Sequence, residues 1–592
     1  MSGTVAELKY LQDPDGLAKS IGLMWNRYNS QRQGWLNEKK EMRNYIFATD
    51  TTTTTNSSLP WKNSTTLPKL CQIRDNLHSN YLSAAFPNDD WLRWEGYNRD
   101  SNTIQKSKAI QAYISNKARE SKARVTFSKL LYDYIDYGNC FAKVEYVYNE
   151  KEDPEDGSIV PGYIGPQVSR ISPLDIVFDP TADTFESSPK IVRSIKTIGE
   201  LQRMQKEYPE DSEVYQAIQA AVDFRSVAGA MRREDFEKQI GFSMDGFGSM
   251  YEYLQSGYIE ILTFEGDVHD PDSGEYLSNV EIVVVDRSKL VMQRPIPSWS
   301  SNGTIRHVGW RFRPDNLWAM GPLDNLVGMQ YRIDHLENLK ADVFDLIAHP
   351  PLKIIGQVDE FVWGPGEEIH ISEGDVQMMS PDTNALQADF QIQLLEQKME
   401  EYAGAPREAM GIRTPGEKTA FEVQSLQNAA GRIFQEKITN FEINLLEPII
   451  NDMLEVSRRN MDGVDYARVM DNDLGVVSLL EITKEDITAK GILRPVGARH
   501  FAAQAQMLQN LTGLLNSGIG QVVQQHMDTV ALSNMLSDIL NVDRFEIFRP
   551  NAQMYEEVDR QRLAAVLQED LQAEMGVSPE GDIDEGSMAP GM

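Results

Sequence analysis

Nine residues, GIRTPGEKT at 411–419, come within one residue of a phosphate-binding loop. Such a loop reads Gly, four residues, Gly, Lys, then Ser or Thr, because its backbone N–H groups cradle phosphates while the Lys reaches the outer ones. Here Glu417 stands between Gly416 and the Lys418–Thr419 pair. It moves Lys418 out of register and puts a carboxylate where phosphate would bind. A working loop also follows a buried strand and opens a helix, whereas the preceding QKMEEYAGAPREAM reads as a helix end and a Pro-containing turn. The same letters suit a helix start better. Thr414 serves as the cap, Pro415 fits the first turn, and Glu417, three residues after the Thr, completes a capping box, with Gly411 and Gly416 lending flexibility beside it.

Other chemistries find less support. The eight histidines, His78, His269, His307, His335, His349, His370, His500 and His526, include no pair at the i, i+4 spacing that places two ligands on one helix face. HExxH, CxxC and Gly-x-Ser-x-Gly are missing, and the acidic turns DPEDG and GDIDEG lack the spacing of a calcium loop. We therefore expect no catalytic residue, no metal and no cofactor. Cys71 and Cys140 are too few for a disulfide framework and read as small core residues.

The elements that would carry these residues follow from periodicity. Residues 16–46 read as one long or broken amphipathic helix, and 51–58, TTTTTNSS, as a surface loop. Helices are expected over 70–85, 103–121 and 124–137, the last closing at Gly138 before a strand at CFAKVEYVY and a second at YIGPQVSRIS. The stretch 181–250 reads as mainly helical and polar, with strands returning at 257–264 and 279–286. From 320 a helix of about 28 residues, roughly 42 Å, runs to Pro350-Pro351. A strand-rich insert follows, then a helix from about Ala388 to Tyr402 with Phe390, Leu394, Leu395, Met399 and Tyr402 on its apolar face. The longest pattern, 420–459, spans roughly 60 Å as a helix that Pro448 should kink. Residues 461–495 have strand character, 497–570 helical character, and the acidic end looks disordered.

The 592-residue chain has 41% hydrophobic residues, enough for several cores, and no apolar run near the roughly 20 residues of a membrane helix. Its first residues, MSGTVAELKY, lack the plan of a signal peptide. The expectation is a soluble protein made and used in a cytoplasm. Asp and Glu outnumber Lys and Arg by 89 to 57, a formal charge of −32, which argues against a broad face that grips duplex DNA. Acidity either keeps a large assembly soluble or keeps a surface near nucleic acid non-adhesive.

Helix, strand-rich insert, helix, short Gly/Thr loop, very long kinked helix: this order resembles the portal (head-to-tail connector) proteins of tailed bacteriophages. LSAAFPNDDWLRWE (82–95), LLYDYIDYGNCFAKVEYV (130–147), ISPLDIVFDPTA (171–182) with IVRSIKTIGEL (191–201), and YAGAPREAMGI (402–412) are similar to segments of portals from short-tailed phages. The resemblance covers most of 70–455 in order, and residues beyond 460 are assigned by position.

The resemblance implies a predominantly helical α+β fold with wing, stem, clip and crown, assembled as a ring, usually a dodecamer. The wing would be 1–319, the stem helices 320–349 and 386–410, the clip 350–385 and the channel loop 411–419. Residues 420–496 would return to the wing, 497–570 form the crown and 571–592 an acidic tail. The implied partners are the large terminase subunit, the major capsid protein and scaffold, adaptor or tail proteins, and double-stranded DNA passing without sequence specificity. No membrane is involved, and the place is a capsid vertex of the virion, assembled in the bacterial cytoplasm. Arg413, Thr414 and Lys418 would sit in the channel loop. Arg413 and Lys418 either touch phosphate transiently or are solvated helix-start charges. In the clip, Lys353, Trp363, Glu367, Glu368 and His370 are candidates for docking an adaptor or terminase, while Trp363 could instead pack within the clip. The rivals from other classes are a P-loop packaging ATPase and a capsid or scaffold protein.

Overall fold

The computed structural model describes residues 5–9, 11, 13–47, 63–86, 91–96, 101–152, 159–206, 208–210, 212–227, 258–287, 289–296, 303–358, 371–379, 384–403, 433–461, 463–470 and 477–496. All but Met470 belong to one of the chain's two units, the one comprising 1–469 and 477–499. The expected helices beyond 497 and the acidic tail lie outside the described residues. Among those described, no helix is long and apolar enough to cross a membrane.

The N-terminal amphipathic run folds as two helices, α1 (Pro14–Gln31) and α2 (Gln33–Phe47), broken at Arg32. The buried Arg32 guanidinium donates to the carbonyls of Pro173, Leu174 and Ile176 at 2.7, 2.6 and 2.7 Å, which pins the break to the first sheet. That sheet runs antiparallel in chain order through β5 (Ile176–Phe178), β6 (Lys190–Thr197), β7 (Tyr258–His269), β8 (Tyr276–Val285) and β9 (Lys289–Pro295), and β1 (Val5–Glu7) joins the far end of β7 in parallel.

Strand alternation divides this sheet's two faces. Leu262, Phe264, Ile282 and Val284 pack with Leu17, Ile21 and Trp25 of α1. Ile259, Ile261 and Val285 pack with Leu201, Ile218 and Ala221. These last three belong to α6 (Ile198–Gln205) and α7 (Glu213–Val227). Cover on both faces explains the continuous apolar run NVEIVVVD. The expectation of a mainly helical 181–250 is corrected at its start, where Lys190–Thr197 is an inner strand between β5 and β7. Its Arg193 is buried against Asp175 at 3.2 Å. Thr197 and Glu200 then form a full capping box for α6.

A second, larger core lies on the three-stranded sheet β10 (Ile305–Gly309), β3 (Asn139–Glu152), β4 (Ile159–Ile171). Helices α3 (Lys69–Ala85), α4 (Ser101–Glu120) and α5 (Ala123–Asp136) supply Leu77, Ile114, Phe127 and Leu131 to it. Gly138 closes α5 at φ +69°, and a side chain there would strike the backbone of Gly321, so only glycine fits.

After Gly321 the chain makes a short 3-10 turn, Asp324–Leu326, and then α8 (Val327–Ala348). This helix has 22 residues, shorter than the expected span, because the Gly-Pro pair and the 3-10 turn take up its predicted first turn. It ends as anticipated, with His349 out of helical geometry ahead of Pro350. The insert is a two-stranded antiparallel hairpin of β13 (Leu352–Val358) and β14 (Ile371–Met378), followed by α9 (Asp389–Tyr402).

The long helical pattern is described from residue 433. Residues 433–441 are α-helical, Glu442–Leu446 form a π-helical turn, and α10 (Glu447–Asn460) completes it. The wide turn precedes Pro448, whose ring cannot donate to the fourth residue back, and the Glu447 N–H donates to Glu442 five residues back. Of the apolar stripe that periodicity predicts here, Ile438, Phe441, Leu445, Ile449, Met453 and Val456 are buried, whereas Ile433 is 50% exposed. The C-terminal strand character resolves into β15 (Val464–Met470), β16 (Val477–Thr483) and β17 (Gly491–Pro495), the last paired with β2 (Leu92–Gly96).

Candidate functional site

The channel-loop candidates Arg413, Thr414, Glu417 and Lys418 lie outside the described residues, as do Trp363, Glu367, Glu368 and His370 of the insert. Lys353 is described. It is exposed on β13, opposite Gln377. Among the described residues no cluster of three or more His, Cys, Asp or Glu side chains is suited to hold a metal ion. Cys140 is buried and Cys71 half-buried, and both are free thiols. His307 is stacked on Phe141 at 4.6 Å, and burial, aided by the charge of Lys190, pushes its imidazole down to about 3. It is a neutral core group at physiological pH.

What the described residues do assemble is the α8–hairpin–α9 segment, which presents two contrasting surfaces. The inner one is polar and was missed. Gln330, Asp334, Asn338 and Asp342, at four-residue spacing, are all buried along one side of α8. Together they take backbone N–H groups from the segment leading into α3 and from the first turn of that helix. Asn63 donates to Asp342 Oδ1 at 3.1 Å, Thr65 to Asn338 Oδ1 at 2.7 Å, Leu67 to Asp334 Oδ1 at 3.0 Å and Leu70 to Gln330 Oε1 at 3.2 Å. Gln330 Nε2 returns a bond to the Leu67 carbonyl at 2.6 Å. The four-residue polar spacing was visible in the sequence, but polar residues at helical spacing read as a solvated face.

Side-chain ties hold the two helices and their base. Lys340 on α8 reaches Asp389 at 2.8 Å, and the buried pair Lys69–Glu400 joins α3 to α9 at 2.7 Å. At the entry, Asp324 Oδ2 accepts the Gly321 N–H at 2.8 Å and Oδ1 pairs with the buried Lys39 amine. Burial lowers the pKa of Lys39, and the neighbouring Asp324 works against that shift.

The outer surface is apolar. On α9 the expected stripe is corrected. Met399 is buried and Leu395 half-buried, with Ile392 beside them, but Phe390 is 75% and Tyr402 60% exposed and Leu394 is exposed with them. The helix therefore has two apolar rows, one toward α8 and one, Phe390–Leu394–Tyr402 at four- and eight-residue spacing, facing away. On α8, Tyr331, Phe344 and Ile347 are likewise exposed. In the hairpin the cross-strand pairs Leu352–Met378 and Ile354–Val376 share one face, with Ile354 and Met378 exposed, while Lys353, Ile355, Asp375 and Gln377 share the other. A two-stranded hairpin is marginal on its own and needs its apolar face covered.

No catalytic constellation is present among these residues. What the segment offers chemically is contact area: an apolar row on α9, exposed apolar side chains on α8 and one hairpin face, which in soluble proteins mark surfaces for association. No protein-family model matches the chain, and no curated protein matches it either.

Proposed function

We propose that the chain is the portal protein of a tailed bacteriophage, a ring-forming channel subunit at one capsid vertex for DNA packaging and ejection. The observation that carries this reading is the uncovered apolar row of α9, Phe390–Leu394–Tyr402, on a helix already packed through its other side. A second copy of the same segment, set beside the first, covers such a row, and repetition of one heterologous contact gives a ring when the rotation between copies closes. The order helix, hairpin, helix, with an α8 braced against the rest of the chain, supports a stem and clip, and the similar segments at 82–95, 130–147, 171–182 with 191–201, and 402–412 support the family.

In this reading the hairpin with Lys353, together with Trp363, Glu367, Glu368 and His370, docks the terminase during packaging and adaptor or tail proteins afterwards. The major capsid protein and scaffold surround the ring. Arg413, Thr414 and Lys418 face the DNA, and no residue is asked to catalyse. Electron microscopy of the purified chain tests the proposal. Rings with a central hole are expected, and single copies or closed shells at every concentration would refute it.

A further inference from the structure

The junction between α4 and α5 carries a repeated triplet, Lys117-Ala118-Arg119 and Lys122-Ala123-Arg124, with Lys129 a little over one turn further along α5. Residues 117–129 thus hold five basic side chains and one acidic, Glu120, in a chain of charge −32. Lys117 is committed within the fold, pairing with Asp465 at 2.6 Å and donating to the Ile164 carbonyl at 2.9 Å. Glu120 leans on that same lysine at 3.6 Å and accepts from Asn116 at 3.0 Å. Arg119, Lys122, Arg124 and Lys129 are exposed, and none of the four has an ion-pair partner among the described residues.

A second, independent feature lies in the backbone. Lys122 sits at φ 54°, ψ 37°, in the left-handed region, two residues past the end of α4 and at the N-cap of α5. Its N–H donates to the Arg119 carbonyl at 3.1 Å, and its carbonyl accepts from Val125 at 2.9 Å. Glycine is the usual occupant of such a position because a Cβ is disfavoured there. A lysine held in that conformation adds a cation at the apex of the turn at the expense of backbone comfort, and strain of this kind collects at functional sites.

We infer that the α4–α5 turn is a binding site for the phosphodiester backbone of duplex nucleic acid, with Arg119, Lys122, Arg124 and Lys129 as its phosphate contacts. Single strands are bound through exposed aromatic platforms, and the one ring in 117–129, Phe127, is buried. A protein partner would be anchored by a cluster of large apolar or aromatic side chains, and the turn exposes only Val125. The chain's overall acidity does not cancel the turn, since at physiological salt charges beyond about 8 Å are largely screened. The inference stands on the turn's own charge and backbone and goes beyond the portal reading. A ring is not required for it, and its test does not depend on one.

The test uses the full chain, a short mixed-sequence duplex, the matching single strand and polyglutamate, with affinity followed against salt. Four phosphate contacts give a slope of log K on log salt of up to about −3.6, at about 0.9 per contact. Lys122→Gly is the diagnostic variant. It relieves the left-handed strain, so its melting temperature should equal or exceed that of the parent while the slope weakens by about one contact. Arg119→Gln with Arg124→Gln, at exposed helical positions, should weaken it by about two. No duplex binding by the parent chain, an unchanged slope in both variants, or equal binding to polyglutamate would each overturn the inference.

Discussion

Leu67 donates its backbone N–H to Oδ1 of Asp334 at 3.0 Å, one rung of a ladder that ties an extended strap to a helix. The rungs Asn63–Asp342, Thr65–Asn338 and Leu67–Asp334 step two residues along the strap for every four along α8. Two extended residues advance about 6.7 Å and four helical ones about 6.0 Å, so the two repeats stay in register over three rungs. Each rung also satisfies a backbone N–H that a strap outside any sheet would otherwise leave unpaired. The ladder fixes the inner side of α8 and leaves Tyr331, Phe344 and Ile347 outward.

Asp334 gives the ladder a pH dependence. Burial raises its carboxyl from 3.8 to about 6, against the opposing pull of the Leu67 N–H and Gln330, and its Oδ2 has no partner. A folded-state value above the unfolded one means that this group favours the fold below about pH 4 and that the benefit is lost as pH rises through 6. Asp334→Asn keeps the acceptor and removes the charge. It should therefore stabilise the chain by about 1–3 kcal/mol at pH 7, with the gain gone at pH 4, as read from urea unfolding.

The opposite sign is expected at His307. Its Nε2 lies 3.1 Å from Asn139 Oδ1, which also accepts the Ala319 N–H, while Asn139 Nδ2 donates to the Tyr137 and Ala319 carbonyls. Oδ1 is thus the acceptor, and the imidazole donates from Nε2 in its neutral form. With the imidazole pushed down from 6.5 to about 3, stability from this site is complete above pH 6.5 and falls as pH drops toward 3. Proton NMR should show His307 failing to titrate between pH 7 and 4, unlike a solvated histidine.

Gly138 and Gly321 pack backbone against backbone where α5, β12 (Asn316–Met320) and the entry to α8 meet. A Cβ on Gly321 would lie 2.7 Å from the Ile135 carbonyl oxygen, and one on Gly138 would meet Gly321 itself at a positive φ. Gly138→Ala should cost about 3 kcal/mol or more and lower the melting temperature sharply. Gly199→Ala, on α6 with open space around it, should be tolerated.

Much of the fold was legible because burial imposed a clean period on the sequence. The broken helix 14–47, the α5–Gly138–β3 corner, the Pro350 stop and the stripe from Ile438 to Val456 all appear where periodicity and turn chemistry put them. The inner strand Lys190–Thr197 was hidden because Arg193 reaches a buried Asp175, so a polar letter marked an interior position. The ladder on α8 was hidden for a related reason, since buried polar residues that serve a neighbouring backbone look like a solvated face. Periodicity puts the outward residues of α9 on one apolar face with the buried ones, because it shows that a stripe is apolar and not what covers it. The four exposed cations at the α4–α5 turn were legible as charge, whereas the left-handed Lys122 needed the backbone.

If copies of this chain cover one another through the outward row of α9, as proposed, the native mass of the purified full chain reveals it. We predict a closed oligomer for the parent chain. Phe390→Lys with Tyr402→Lys should give single copies whose melting temperature stays close to that of the parent chain held as single copies by dilution, because both side chains are exposed and contribute little to the monomer core. An undiminished oligomer in the double variant, or a parent chain that stays monomeric at every concentration, would rule out α9 as the contact between copies.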